Sequence, residues 1–272
     1  TLGTATRGTR REFPAVAVIV AEATQLTIYD GDDPNLPMWM VFNLSGAVGA
    51  ACNMLPRGGG SQLSDITSIA CLNAKLVVGL KDIDGTVGEG LVEVNFIPDF
   101  GRVYREVGSG FTGAIYNLPI SGRNSNSSYT GDYNSLAIIV QTINDVAMTV
   151  LPNAPIDSAT GLPVPTIFVG TEGGLSIIKD NGTVFDGTSA SGDNYERIQQ
   201  ITITDENYLW WTSDLVFNSS YRRDSYTLSL DNLASVEGNF TWNNSTDNVS
   251  VGPSYSVTTG GEGGKIQIGN SN

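Results

Sequence analysis

The segment Asp30-Gly31-Asp32-Asp33-Pro34-Asn35 gathers three carboxylates and an amide in one turn. Oxygen-rich loops of this kind can hold Ca²⁺, a hard cation that takes several oxygen ligands. A second acidic loop, Asp82-Ile83-Asp84-Gly85-Thr86 with Glu89 beyond it, has the same character. No Glu stands at the twelfth position counted from Asp30, so the EF-hand pattern is not met. Asp30, Asp32, Asp33, Asp82 and Asp84 are therefore candidate Ca²⁺ ligands. The plainer alternative is a pair of acidic hairpin loops, the first ended by proline. No other cofactor is implied.

The chain has no histidine. That removes every mechanism built on an imidazole base or imidazole metal ligand, including Ser-His-Asp, Cys-His and HExxH. A glycosidase needs two carboxylates about 5–10 Å apart, and with 28 acidic residues such pairs arise by chance. Arg102 with Arg105, and Arg222 with Arg223, are the basic clusters outside the N-terminal stretch; whether they converge is a tertiary question. Tyr208, Trp210 and Trp211 could form a sugar-stacking platform, but strand neighbours point to opposite faces, so only one of the two Trp can serve a given face. The alternative is one blade-core aromatic and one at a blade interface. No catalytic residue is assigned.

These groups must be positioned by strands. The 272 residues are 40% hydrophobic and only 15% charged, with 32 Gly and a net charge of −14. Such a charge makes nucleic acid an unfavourable partner. The longest strongly apolar run, Ala15 to Ala21, is too short to span a membrane. The first fourteen residues lack the apolar core of a signal peptide, and the absence of an initiator Met suggests a processed chain or a segment of a longer one. Cys52 and Cys71 would close a loop of about twenty residues if paired; otherwise they are two small buried apolar residues. Apolar segments are short and β-branched: 15–20, 25–29, 38–42, 75–78, 91–96, 136–140, 166–169, 175–178 and 198–203. Gly-, Asn- and Asp-containing turns separate them. No long 3.6-residue pattern appears, so the chain reads as all-β.

An internal repeat organises these strands. Ile66-Thr-Ser-Ile-Ala70 matches Ile143-Asn-Asp-Val-Ala147. Val77-Val-Gly-Leu80 then matches Phe168-Val-Gly-Thr171, and Glu89-Gly-Leu-Val-Glu-Val94 matches Gly173-Gly-Leu-Ser-Ile-Ile178. Phe100-Gly-Arg-Val-Tyr104 is set against Asn181-Gly-Thr-Val-Phe185, and a third copy begins at Ile198 with Trp210-Trp-Thr-Ser213 in the Val-Gly place. This order is that of a β-propeller blade, a short four-stranded antiparallel sheet. The expected fold is a β-propeller-like array of four or five blades, with Val77–Leu80 and Phe168–Thr171 as equivalent inner strands. Residues 1–14 read as an exposed basic arm, 15–233 as the blades, and 234–272 as polar terminal strands or the start of another module. The polar insertions 108–131 and 152–165 are expected to protrude. Residues 179–185 resemble part of the Asp-box turn of sialidase-type propellers, and read as a blade hairpin.

The run Arg11-Glu-Phe-Pro-Ala-Val-Ala-Val-Ile-Val-Ala-Glu-Ala23, followed by Leu26-Thr-Ile-Tyr-Asp-Gly-Asp-Asp-Pro-Asn-Leu-Pro-Met-Trp-Met-Val-Phe42, resembles a segment of virion structural proteins of marine tailed bacteriophages. The resemblance is specific over residues 11–42 and generic over 65–230. It implies a tail- or fibre-associated, virion-located component, and carries no catalytic residue. The expectation is a non-enzymatic scaffold that docks other virion proteins or copies of itself and contacts host-surface glycan. Its interface residues would be Arg7, Arg10 and Arg11 of the arm with Trp39, Trp210 and Trp211; the apolar stretch around Trp39 needs cover from neighbouring blades or another subunit. The rivals are a secreted propeller-type hydrolase of polysaccharide and a Ca²⁺-binding surface adhesin or lectin.

Overall fold

The structure is all-β: strand makes up 54% of what is described, and the 5% of helix is short 3₁₀ turns. The computed structural model describes residues 12–58, 63–82, 89–107, 112–131, 133–158, 160–189, 196–205, 207–217, 220–235, 239–242, 249–251, 255–259 and 265–270. The chain divides into two compact units, Thr1–Ala137 and Ile138–Asn272. The boundary falls inside the stretch read from sequence as one run of blades.

Unit 1 opens with β1 (Ala17–Glu22), β2 (Gln25–Asp30) and β3 (Met38–Asn43), an antiparallel three-stranded sheet. A second sheet follows in simple order: β4 (Ser64–Leu72), β5 (Lys75–Asp82), β6 (Gly90–Asn95), β7 (Phe100–Tyr104), β8 (Gly113–Tyr116) and β9 (Tyr129–Thr130). Asn73 and Ala74 close the β4–β5 hairpin with φ of 52° and 58°, the left-handed pair that a two-residue type I′ turn requires. β6 is buried on both faces, so alternation there decides which core a side chain enters. Leu26, Ile28, Met40 and Phe42 share one core with Leu76, Val78, Val92, Val94 and Val103.

Unit 2 contains β10 (Ile143–Thr149), β11 (Thr166–Thr171), β12 (Gly174–Ile178) and β13 (Val184–Ser189), again an antiparallel meander. Its other sheet starts with β14 (Glu196–Ile203), β15 (Tyr208–Phe217) and β16 (Ser220–Ser229). Later strands are added to both. β17 (Phe240–Trp242) lies parallel to β13. Of β18 (Val249–Val251), β19 (Tyr255–Thr259) and β20 (Lys265–Asn270), the last lies parallel to β16. The core joins Phe168, Leu175 and Ile177 to Ile198, Ile201, Leu209, Trp211 and Leu228.

The repeat is real at the level of register. In β4–β5, Ile66 pairs with Leu80, the ladder slips, and Ser68 pairs with Gly79. In β10–β11, Ile143 pairs with Thr171, the ladder slips, and Asp145 pairs with Gly170. In β14–β15, Ile198 pairs with Ser213, the ladder slips, and Gln200 pairs with Thr212. One bulged residue, Thr67, Asn144 or Gln199, thus occupies the same point three times. Gly79 and Gly170 are equivalent second-strand positions, and Thr212 takes their place in the third copy. Gly90 and Gly174 also coincide, opposite Leu80 and Thr171, at φ of 90° and 141°. A Cβ on either would collide with a backbone carbonyl, of Tyr104 or Gly187, so glycine is required.

Three expectations need correction. The closing turns align two residues away from the sequence match: Val103 faces Val92 while Asp186, not Val184, faces the equivalent Ser176. The two hairpin loops differ in length, which sequence alignment absorbed in the wrong place. Residues 136–140 form no strand. Leu136 ends a 3₁₀ turn, Ala137 makes one isolated bridge to Arg105, and the Ile139 N–H donates to the Ser176 hydroxyl (3.0 Å). Residues 112–131 do not protrude: they supply β8 and β9, and Arg123 among them is buried, donating from Nε to the Val41 carbonyl (2.5 Å). The described residues of 152–164 do form a largely exposed loop, closed by an Ile156–Pro163 bridge.

Candidate functional site

The first acidic loop turns its carboxylates toward backbone. Asp32 accepts from the amides of Ala15 (2.9 Å) and Val16 (3.0 Å), one on each oxygen. Asp30 is buried and accepts from the Asp32 amide (3.1 Å). Asp33 accepts from the Asn35 amide (2.9 Å) and side chain (3.0 Å). Short acidic side chains bonding backbone one or two residues on are turn-builders. Here they also fasten the chain leading into β1. Asp82 ends β5 opposite Ser64; Asp84 lies outside the described residues. Among the described residues, no three metal-ligating side chains of His, Cys, Asp or Glu come together.

Arg7, Arg10 and Arg11 lie outside the described residues. The chain just after them is anchored: Pro14 is buried, and Phe13 packs against Trp39 (ring centroids 5.4 Å) and Phe96 (4.6 Å). Trp39 is 1% exposed and Trp211 fully buried, each within its own unit's core, while Trp210 is half-buried on the opposite face of β15. Cover for Trp39 thus comes from its own unit. Cys52 and Cys71 are both free, Cys52 buried and Cys71 exposed, so neither a disulfide nor a pair of buried thiols is present. Burial, with Glu89 nearby, pushes the Cys52 thiol up to about 12, which makes it a poor nucleophile.

The densest ionic constellation was not singled out from sequence. Glu93, on β6, is fully buried. Its carboxylate meets Lys75 Nζ on β5 (3.2 Å) and, on β7, Arg102 Nε (3.0 Å) and Nη2 (3.1 Å). The Tyr104 hydroxyl donates to it as well (2.8 Å). Register explains the meeting. Glu93 faces Val77 on one side and Arg102 on the other, and Lys75 and Tyr104 lie two residues along on the same face. Burial by itself would raise the Glu93 carboxyl, but Arg102, Lys75 and the Tyr104 hydroxyl outweigh it and hold the group below the usual carboxylate range. Burial, then the neighbouring carboxylate, drives Tyr104 well above its ordinary value. The visible signal was a lone Glu inside the apolar strand Leu91-Val-Glu-Val94.

Burial raises the carboxyls of two further acids. Glu89 accepts from the Val48 amide (3.0 Å), and burial raises its carboxyl despite that bond and the Arg105 charge. Asp186 accepts from the buried Ser176 hydroxyl (2.5 Å), and burial raises it too. The hydrogen bond gives Ser176 no base of imidazole strength. The arrangement fixes strands and turns.

No protein-family model matches the chain, and no curated protein matches it. The fold and its polar clusters define an all-β protein of repeated antiparallel meanders. Among the described residues no helix is long and apolar enough to cross a membrane.

Proposed function

We propose that the chain is a non-enzymatic structural component of a bacteriophage virion, tail- or fibre-associated, and that its meanders are blades of a propeller-like array. The observation that carries the scaffold reading is the recurrence of one bulge and one second-strand position in three successive sheets. A repeated sheet unit gives stiffness and flat docking faces. The acids support the same reading, because Asp32 fastens the start of β1 and Glu93 ties three strands together. The virion assignment rests on the likeness of residues 11–42 to tailed-phage particle proteins. Its partners would be other virion subunits and further copies of itself.

The test is mass spectrometry of purified particles from the source. Peptides of this chain, in stoichiometric amount with other virion proteins, are the expected result. A chain found free in the medium that cleaves polysaccharide would overturn the proposal. The blade assignment is tested by an experimental structure of the assembly, in which the successive meanders should follow one another around a common axis.

A further inference from the structure

We infer that the outward face of β14 and β15 is a glycan-binding platform, on which Tyr208 and Trp210 stack the sugar rings of an uncharged polysaccharide. The inference stands apart from the virion assignment, because it concerns one face of the chain itself.

Alternation and register build the face. Leu209 and Trp211 lie in the core of unit 2, so Tyr208, Trp210 and Thr212 take the other side of β15. On β14, Thr202 pairs with Trp210 and Gln200 with Thr212, which sets both on that side. Gln200 and Thr202 are exposed; Tyr208, Trp210 and Thr212 are half-buried.

The preceding meander shows what the same face does elsewhere. There Ala147 pairs with Phe168 and Asp145 with Gly170, at equivalent points beyond the bulge. That face is covered. Phe168 is fully buried in one core with Ile198 and Ile201 of the next sheet, and Gly170 leaves the space that Ile198 fills. In the third meander all four positions change character. Thr212 stands where Gly170 makes a seat, so a further sheet cannot dock in the same way. Trp210 replaces Phe168, Thr202 replaces Ala147 and Gln200 replaces Asp145. Groups that seal one sheet against the next give way to an indole, two hydroxyls and an amide, and the face stays open to solvent.

The same residues select the occupant. A pyranose ring presents C–H bonds on its faces and hydroxyls around its rim. The negative face of an aromatic ring attracts the first, while hydroxyl and amide side chains donate to and accept from the second. Tyr208 and Trp210 stand two residues apart on one strand, about 7 Å, so consecutive sugars can lie across both rings. Between Gln200 and Thr202 on one strand and Tyr208 and Thr212 on the other, no aliphatic side chain shares the face, unlike the apolar centre of a protein interface. The chain's net charge of −14 repels an anionic polymer, so the glycan is neutral. A sheet face is open and elongated, which suits a ribbon-shaped chain such as a β-1,4-linked one.

The test is calorimetric titration of the full chain with cellohexaose, a neutral β-1,4-linked hexasaccharide, and with an oligogalacturonate as the anionic counterpart. Cellohexaose should bind saturably with a dissociation constant of about 1 mM or tighter, and the oligogalacturonate should not. Trp210→Ala should weaken binding at least about tenfold, and Trp210→Phe, which keeps a ring, should lose less. Thr202→Arg puts a long side chain beside the ring from an exposed position, so it should also weaken binding while the melting temperature stays that of the wild type. Tyr133→Ala, which removes an exposed ring in unit 1, should bind as the wild type does. Absence of cellohexaose binding, equal binding of the oligogalacturonate, or affinity undiminished in both Trp210→Ala and Thr202→Arg would each overturn the inference. So would a dimer in sedimentation that Thr202→Arg dissociates, since a second copy would then occupy the face.

Discussion

Ile198 occupies the space that a side chain on Gly170 would need. A Cβ built on Gly170 lies 2.7 Å from Ile198 Cγ2 and 3.1 Å from Ile201 Cδ1. The glycine of one meander is thus the seat for the first strand of the next sheet in unit 2. Gly170→Val should cost about 1–3 kcal/mol by overpacking, read as a lower urea midpoint with unchanged slope. Ile198→Ala in the same chain should recover part of that loss, and simple additivity of the two would refute the contact.

Removing the carboxylate at the centre of the Lys75–Glu93–Arg102 cluster leaves two cations close together and largely buried. Glu93→Gln should therefore destabilise unit 1 by about 3–5 kcal/mol, the range for breaking a buried pair. The pH dependence has a definite sign. The folded-state carboxyl is lowered, so its contribution is present above the unfolded carboxylate value of about 4.3 and is lost as pH falls through the folded value. Denaturant titrations from neutral to acid pH should show the wild type losing stability faster than Glu93→Gln.

Asp186 carries the opposite sign. Burial raises its carboxyl, so ionisation works against the fold, and the loss grows as pH rises from the unfolded carboxylate range through the folded value. Asp186→Asn keeps an oxygen for the Ser176 hydroxyl and removes the charge. It should match or exceed the wild type in melting temperature at neutral pH, with the difference shrinking in acid. A variant markedly less stable at neutral pH would show that the charge is needed.

The Asp32 carboxylate holds the amides of Ala15 and Val16. Asp32→Ala should speed hydrogen exchange at those two amides and cost about 1 kcal/mol or more. With its oxygens turned to backbone, the loop should melt at the same temperature with and without a Ca²⁺ chelator. A chelator-dependent drop of several degrees would instead indicate a resident cation, because a ligand bound to the native state alone raises its stability.

Sequence by itself determined the strand character of the chain and the order of its repeat. Alternation and β-branching act within a few residues, so 166–169 and 175–178 were legible as strands, and the match of Ile66-Thr-Ser-Ile-Ala70 to Ile143-Asn-Asp-Val-Ala147 marked equivalent first strands; the slip in their ladders appeared only in the register. Residues 136–140 defeated the same rule: in place of a ladder, Ala137 makes an isolated bridge and the Ile139 N–H bonds the Ser176 hydroxyl, partners remote in the chain. Tertiary structure alone decided the partners of charged and aromatic groups. Glu93 reads as an anomaly until register brings Lys75 and Arg102 to its two sides. Asp32 reads as one of three acids in a turn until Ala15 and Val16 fold back to it. Trp39 reads as a surface in need of a partner until Phe13 and Phe96 close over it. Local pattern fixes which face a side chain takes, whereas what meets that face depends on which strands the folded chain lays against it.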